Sequence, residues 1–222
     1  MLFEVIVNRD KSEEDHKDIT ADLPFSQACE NNKQPILDVL EKELIDATHI
    51  LEIGSGTGQH SVYFAPKLSH LQWQTSDVVD NHWAINAWHA AYPIANLHAP
   101  LAFDLVTDPL PASIMNRLPY DAVFTANTLH IISWALVEQL FKLVGKALPT
   151  DGKLIVYGPF NENGHYTSAG NQRFDAMLRQ GNAGSGIRNK EEVVKLASIH
   201  HLKLLTTYEM PANNQLLVFQ KD

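Results

Sequence analysis

Three glycines alternate with small polar residues in Leu51-Glu52-Ile53-Gly54-Ser55-Gly56-Thr57-Gly58-Gln59-His60, directly after an apolar run that carries a carboxylate. Glycine lacks a Cβ and tolerates positive φ, so a strand-to-helix turn of this composition lets the backbone lie close to a bound molecule. The dinucleotide fingerprint G-x-G-x-x-G would place its third glycine where Gln59 stands, and the phosphate-binding loop would need a following Gly-Lys-Ser/Thr, which is absent. An ordinary strand-loop-helix corner without a ligand is the plain alternative. Residues further along the chain decide against it.

The spacing acidic-x-Gly-x-Gly-x-Gly resembles motif I of the class I S-adenosylmethionine-dependent methyltransferases, whose glycines lie against the methionine part of the cofactor. Glu52, Gly54, Ser55, Gly56 and Gly58 are then expected to bind S-adenosylmethionine, with Glu52 orienting the loop and meeting the cofactor's ammonium. Asp77 follows about 20 residues later, the distance at which a carboxylate reaches ribose hydroxyls. Asp80 competes with it for that role. Phe103-Asp104 matches the position whose carboxylate accepts from the adenine amino group, a preference that follows from a carboxylate's inability to donate. Asn127, in Ala126-Asn127-Thr128-Leu129-His130, falls at the motif IV position, which contacts the cofactor and faces the acceptor.

His130 is the candidate catalytic base, because an imidazole titrates near neutral pH; packing is the alternative role for it. Asn32, Tyr157, His165 and Tyr166 are expected to line the acceptor pocket. Methyl transfer by in-line displacement needs alignment first, and a base only where the nucleophile is protonated. No HxxxH or HExxH spacing accompanies the eleven histidines, so no metal is expected. The (D/N)-P-P-(Y/F) string of amino-group DNA methylases is missing, and no Cys lies near the sheet for cytosine-C5 chemistry.

Elements that would hold these residues alternate as strand and helix, which implies a parallel sheet covered on both faces. A helix is expected from about Pro35 to Ile45, with Pro in its first turn. Strands are expected at His49 to Ile53, Leu71 to Thr75, Ala99 to Phe103, Asp121 to Thr125 and Lys153 to Tyr157. The intervening helices are Gly58 to Leu68, Asn81 to Ala91, a short turn around Ala112 to Arg117, and Trp134 to Leu148, whose apolar spacing is that of a helix laid on a sheet. Residues Gly158 to Asn189 interrupt the alternation with a Gly/Asn/Ser-rich connection holding one helix, Asn171 to Arg179, and connections this long are usually functional. A helix from Lys190 to His200 and two strands, Lys203 to Glu209 and Gln215 to Gln220, close the chain as an antiparallel hairpin. The expected fold is α/β and Rossmann-like: a seven-stranded, mostly parallel sheet in the order 3-2-1-4-5-7-6. One domain divides into an N-terminal segment and helix (1–47), a cofactor-binding core (48–157), an insertion (158–189) expected to form the substrate lid together with the N-terminal segment, and a terminal helix and hairpin (190–222).

Composition agrees with a single domain. The chain has 222 residues, nearly half hydrophobic, enough for one sizeable core. A formal charge of −9 offers no electrostatic footprint for a nucleic-acid backbone. A lone Cys29 rules out an intramolecular disulfide or a CxxC metal site. The opening Met1-Leu2-Phe3-Glu4-Val5-Ile6-Val7 is too short and acidic for a secretory signal, and no apolar run approaches the roughly 18 residues of a membrane span. A cytoplasmic protein with a small-molecule substrate is the expectation; no oligomeric state is implied.

A wider set of strings resembles the DUF938 family, the methyltransferase-like 26 proteins. These are Ala126-Asn127-Thr128-Leu129-His130-Ile131, Tyr157-Gly158-Pro159-Phe160, Asn171 with Arg173-Phe174-Asp175, Met210-Pro211-Ala212-Asn213-Asn214, and the early Phe25-Ser26 and Asn32-Lys33-Gln34-Pro35-Ile36-Leu37. About 20 residues precede the familiar part, and Asn31 stands where the family leads one to expect Arg. The resemblance implies a class I methyltransferase fold acting on an unspecified acceptor. Two alternatives stay open: a non-catalytic module that binds S-adenosylmethionine or S-adenosylhomocysteine, and an NAD-dependent oxidoreductase with an atypical loop.

Overall fold

The computed structural model describes residues 23–113 and 119–222. Residues 1–22 of the N-terminal segment, and most of the helical turn expected around Ala112 to Arg117, lie outside them. The described order is α1 (Gln27–Glu43), β1 (His49–Ile53), α2 (Gln59–Phe64), β2 (Gln72–Asp77), α3 (His82–Ala91), β3 (Leu97–Ala102), β4 (Ala122–Ala126), α4 (Trp134–Ala147), β5 (Lys153–Asn161), α5 (Ala169–Gly181), β6 (Arg188–Asn189), α6 (Lys190–Ile199), β7 (Leu202–Met210) and β8 (Asn214–Lys221).

One sheet runs β3-β2-β1-β4-β5-β8-β7, with two-residue β6 added beside the end of β5. Pairing is parallel through β5 and antiparallel for β5 with β8 and β8 with β7. The seven-strand order expected from sequence is therefore present, and β6 is the addition. Register places Ile53 beside Ser76 and Ala126 beside Tyr157, so β1 and β2 end nearly level while β5 runs four residues past the end of β4.

Strand alternation sends side chains to two cores. Leu51, Ile53, Val123, Leu154, Val156, Leu217 and Phe219 pack under α4 and α6, against Val137, Leu140, Phe141, Val144 and Val193. Ile50, Phe124, Ile155, Tyr157 and Val218 pack under α1 and α2, against Ile36, Leu37, Leu40 and Phe64. Burial of this extent on both faces is what parallel strands require.

Three boundaries differ from expectation by about four residues or more. Helix α1 starts at Gln27, because Ser26 caps it by accepting from Cys29 N–H at 3.4 Å, and Pro35 sits inside it rather than in its first turn. Helix α2 stops at Phe64, ahead of Pro66. Strand β5 continues through Gly158-Pro159 to Asn161, since Pro159 faces Asn214 on β8 in an antiparallel pair. The insertion is thereby shortened: its first residues are strand, and β6 ends it.

Candidate functional site

The sheet order reverses between β1 and β4, the switch point at whose carboxyl edge ligands bind in open α/β sheets. All three glycines of the loop after β1 have positive φ: Gly54 at 74°, Gly56 at 57° and Gly58 at 86°. A Cβ at Gly54 would come within 2.8 Å of Thr128 Oγ1, and one at Gly58 within 3.0 Å of Ile85 Cα. A Cβ at Gly56 would meet nothing within 4 Å. Two glycines thus let the loop pack between β4 and α3, and the middle one faces open space.

The loop is tied to β2. Gly54 and Ser55 both donate their N–H to Ser76 O, at 3.0 and 3.2 Å. Asp77 Oδ2 accepts from Gly56 N–H at 2.7 Å, while its Oδ1 accepts from Val78 N–H and Asn81 Nδ2, each at 2.8 Å. Asp77 therefore fixes the glycine loop as well as standing where a ribose acceptor is expected; each carboxylate oxygen can accept more than one bond. Asp80 lies exposed on the turn before α3.

Glu52 points to the α1 and α2 side, buried to 2% exposure, where its carboxylate accepts from Trp73 Nε1 at 2.9 Å. Burial pushes its pKa up to about 7, against the pull of Trp73 and Ser55. At the end of β3, Phe103 is buried and Asp104 half-buried. One Asp104 oxygen caps the following turn by accepting from Val106 N–H at 2.8 Å. Gln59, absent from the expected set, is 4% exposed, and its Nε2 has no acceptor among the described residues. Its Oε1 accepts from Ser26 N–H at 2.5 Å, which lays the N-terminal segment along the loop. An orphaned buried donor beside an open glycine is the kind of environment that a cofactor with a carboxylate would complete.

On the other side of the switch point, Asn127 ends β4 with φ 57°. A non-glycine residue in that conformation is uncommon, and Asn is among those that tolerate it. His130 is 4% exposed, edge-on to Phe174 at a ring separation of 5.4 Å. Burial, helped by the charge of Arg188, lowers its pKa to about 4. The imidazole is thus neutral at physiological pH, and its ring has no hydrogen-bond partner among the described residues.

Asn32 and Tyr157 come together across α1 and β5. Asn32 Oδ1 accepts from His60 Nε2 at 2.7 Å, and Asn32 also opposes the rise that burial imposes on the Tyr157 hydroxyl. The other two expected pocket residues do not join them. His165 is exposed in a turn bridged to Glu162, and Tyr166 donates its hydroxyl to Asp175 Oδ2 at 2.7 Å. Tyr166 lines a groove of about 610 Å³ between α4, α6 and the insertion, with Trp134, Arg179 and Lys195, and no glycine-loop residue borders it. Among the described residues, no cluster of His, Cys, Asp and Glu is placed to hold a metal, and no helix is long and apolar enough to cross a membrane.

A family model described as "Protein of unknown function (DUF938)" matches residues 23–221. Among solved structures, an O-methyltransferase family protein from Burkholderia thailandensis superposes with a TM-score of 0.73 at 15% identity, covering 88% of this chain and 57% of that one. Human N-acetylserotonin methyltransferase in complex with S-adenosylmethionine gives 0.72 at 14%, over 88% and 53%. The mitomycin 7-O-methyltransferase MmcR gives 0.69 at 15%, over 88% and 58%. The chain spans somewhat more than half the length of each. Likeness at such identity speaks for the fold.

Proposed function

The chain belongs to the DUF938 family, and on that premise we propose that it is an S-adenosylmethionine-dependent methyltransferase acting on a small-molecule acceptor. The observation that carries the reading is the loop at the β1/β4 switch point: three positive-φ glycines, the central one open, held by a carboxylate at the end of β2. The solved methyltransferases with the same fold support it.

In this reading Gly54, Ser55, Gly56 and Gly58 hold the methionine part of the cofactor, Asp77 the ribose, and Asp104 with Phe103 the adenine. Gln59 Nε2 would donate to the cofactor's carboxylate. Glu52 would accept from its ammonium, whose charge would favour the ionised carboxylate. S-adenosylmethionine supplies the methyl group when bound; the rest is the work of this chain. Asn127 faces both cofactor and acceptor from the end of β4, and Asn32 and Tyr157 align the acceptor. A His130 held near pKa 4 is a weak base. Its contribution is to accept a hydrogen bond from an acceptor hydroxyl or amine as the nucleophile is aligned. The insertion 158–189 and residues 23–47 of the N-terminal segment flank the acceptor side of the 48–157 core, and 190–222 completes the sheet. A cytoplasmic setting fits this chemistry.

Calorimetry with S-adenosylhomocysteine and with NAD separates the cofactors, and binding of NAD alone would overturn the proposal. Incubation with methyl-labelled cofactor and a metabolite extract then seeks the product. Tight cofactor binding without any labelled product would favour a non-catalytic binding module. His130→Ala should lower turnover about tenfold or more if the imidazole assists transfer.

A further inference from the structure

The loop that carries Asn127 and His130 is gripped from outside by one short segment of the insertion. Four consecutive carbonyls, Leu129 to Ile132, each accept a hydrogen bond from residues 185–188. Arg188 Nε donates to Leu129 O at 3.0 Å, Gly186 N–H to His130 O at 2.9 Å, Ser185 Oγ to Ile131 O at 2.5 Å, and Arg188 Nη2 to Ile132 O at 2.5 Å. The same Nη2 reaches Gly184 O at 2.8 Å.

Arg188 is 9% exposed, and among the described residues no carboxylate lies within ion-pair distance of it. Burying an unpaired guanidinium costs free energy that an apolar side chain would not. What only arginine supplies is a rigid fork of donors able to hold two carbonyls three residues apart. The gripping segment is itself anchored: Asp175 on α5 accepts from Ile187 N–H at 2.6 Å, Tyr166 Oη at 2.7 Å and Arg179 Nε at 2.8 Å. At Gly186, φ is 144° and a Cβ would come within 2.4 Å of Arg179 Nη2 and 2.8 Å of Asp175 Oδ1, so a side chain there would have to displace that ion pair.

We propose that Arg188 is a positioning residue for the methyl-transfer site, fixing residues 129–132 of the β4–α4 loop so that His130 holds one geometry and coupling that loop to the insertion. The assignment rests on the functional reading above. Its consequence is that the cofactor half of the site is independent of Arg188, whereas the surroundings of His130 are not.

The test uses the full chain and Arg188→Lys, which keeps the charge but loses the fork. Three quantities are compared with wild type: S-adenosylhomocysteine affinity, the His130 titration by proton NMR, and exchange of the Gly186 amide. Expected are an affinity within about threefold, a His130 midpoint raised by about one unit as the loop loosens and admits water, and Gly186 exchange about tenfold faster. Unmoved His130 titration and Gly186 exchange overturn the proposal, even with a lowered melting temperature, because a purely structural role predicts that pattern. Loss of homocysteine-product affinity in the variant also overturns it. Should Arg188→Lys fail to fold, Ser185→Ala removes a single bond of the grip and must produce the same two changes in smaller measure. Failure of wild type to bind S-adenosylhomocysteine would sink the functional reading while leaving the grip itself open to measurement.

Discussion

The glycine loop after β1 and the loop after β4 stand at neighbouring carboxyl ends of one sheet, yet they are held by different means. The first is fixed from within the strand-loop-helix unit and its adjacent strand: backbone N–H groups on Ser76 O and Asp77, and glycines that admit Thr128 and Ile85. The second is fixed by side chains more than fifty residues away, Ser185 and Arg188. A ligand common to many enzymes needs a site that barely varies, and backbone supplies it. In the proposed function the second loop faces the acceptor, and acceptor sites are grafted onto a fold rather than fixed by it.

Substitutions can break this contrast. The largest effect is expected from Gly58→Val, which places a branched side chain at φ 86° against Ile85 Cα. It should lower stability by about 3 kcal/mol or more and abolish S-adenosylhomocysteine binding, read by thermal melting and calorimetry. Asp175→Ala, which leaves the buried Ile187 N–H without its acceptor, should cost about 2 kcal/mol of stability yet leave S-adenosylhomocysteine affinity in the folded fraction unchanged. If it weakened that affinity as well, the two loops would not be separable.

The two halves should also respond oppositely to pH. The Glu52 pKa is raised in the fold, from 4.5 to about 7, so the folded state holds the extra proton. The stability it contributes is complete below about pH 4.5 and is lost as pH rises through about 7. His130 is lowered, from 6.5 to about 4, so its contribution is present above 6.5 and lost as pH falls towards 4. Denaturant titrations of Glu52→Gln and His130→Gln against wild type should differ with opposite slopes, each at most about 1.4 kcal/mol per pH unit. Slopes of the same sign would contradict the assignment. The smallest change is expected from Asp104→Asn. The amide cannot accept through both of its ends, and one carboxylate oxygen is already spent on Val106, so homocysteine-product affinity should fall about fivefold, or about 1 kcal/mol.

The contrast also explains what was legible beforehand. Glycine spacing, the carboxylates after β2 and β3, and the terminal hairpin all follow local rules of periodicity and turn chemistry, and the corresponding elements lie where expected to within a few residues. Helix α1 was half missed because residues 27–34 are mostly polar and carry no apolar stripe; its start depends on the Ser26 cap and on Asn32 meeting His60 across the core. The extension of β5 was hidden by Gly158-Pro159, which reads as a stop until β8 is known to lie alongside. Arg188 had no signal of its own, since an arginine in a Gly/Asn/Ser-rich stretch looks solvated. His165 and Tyr166 were expected at the acceptor because they fall in the long connection; in the structure His165 is exposed and Tyr166 donates to Asp175.

By itself the sequence determined the alternating α/β order, the two-sided burial of the strands and the backbone cradle at Gly54 to Gly58, because these depend on side-chain period and on where a Cβ is absent. Tertiary structure alone decided that Glu52 would be buried against Trp73, that His130 would be neutral, and that the loop bearing it would be held through four carbonyls. Those outcomes depend on which distant groups desolvate a charge or meet a backbone oxygen, and such partners exist only once the sheet has brought residues 129–132 and 185–188 together.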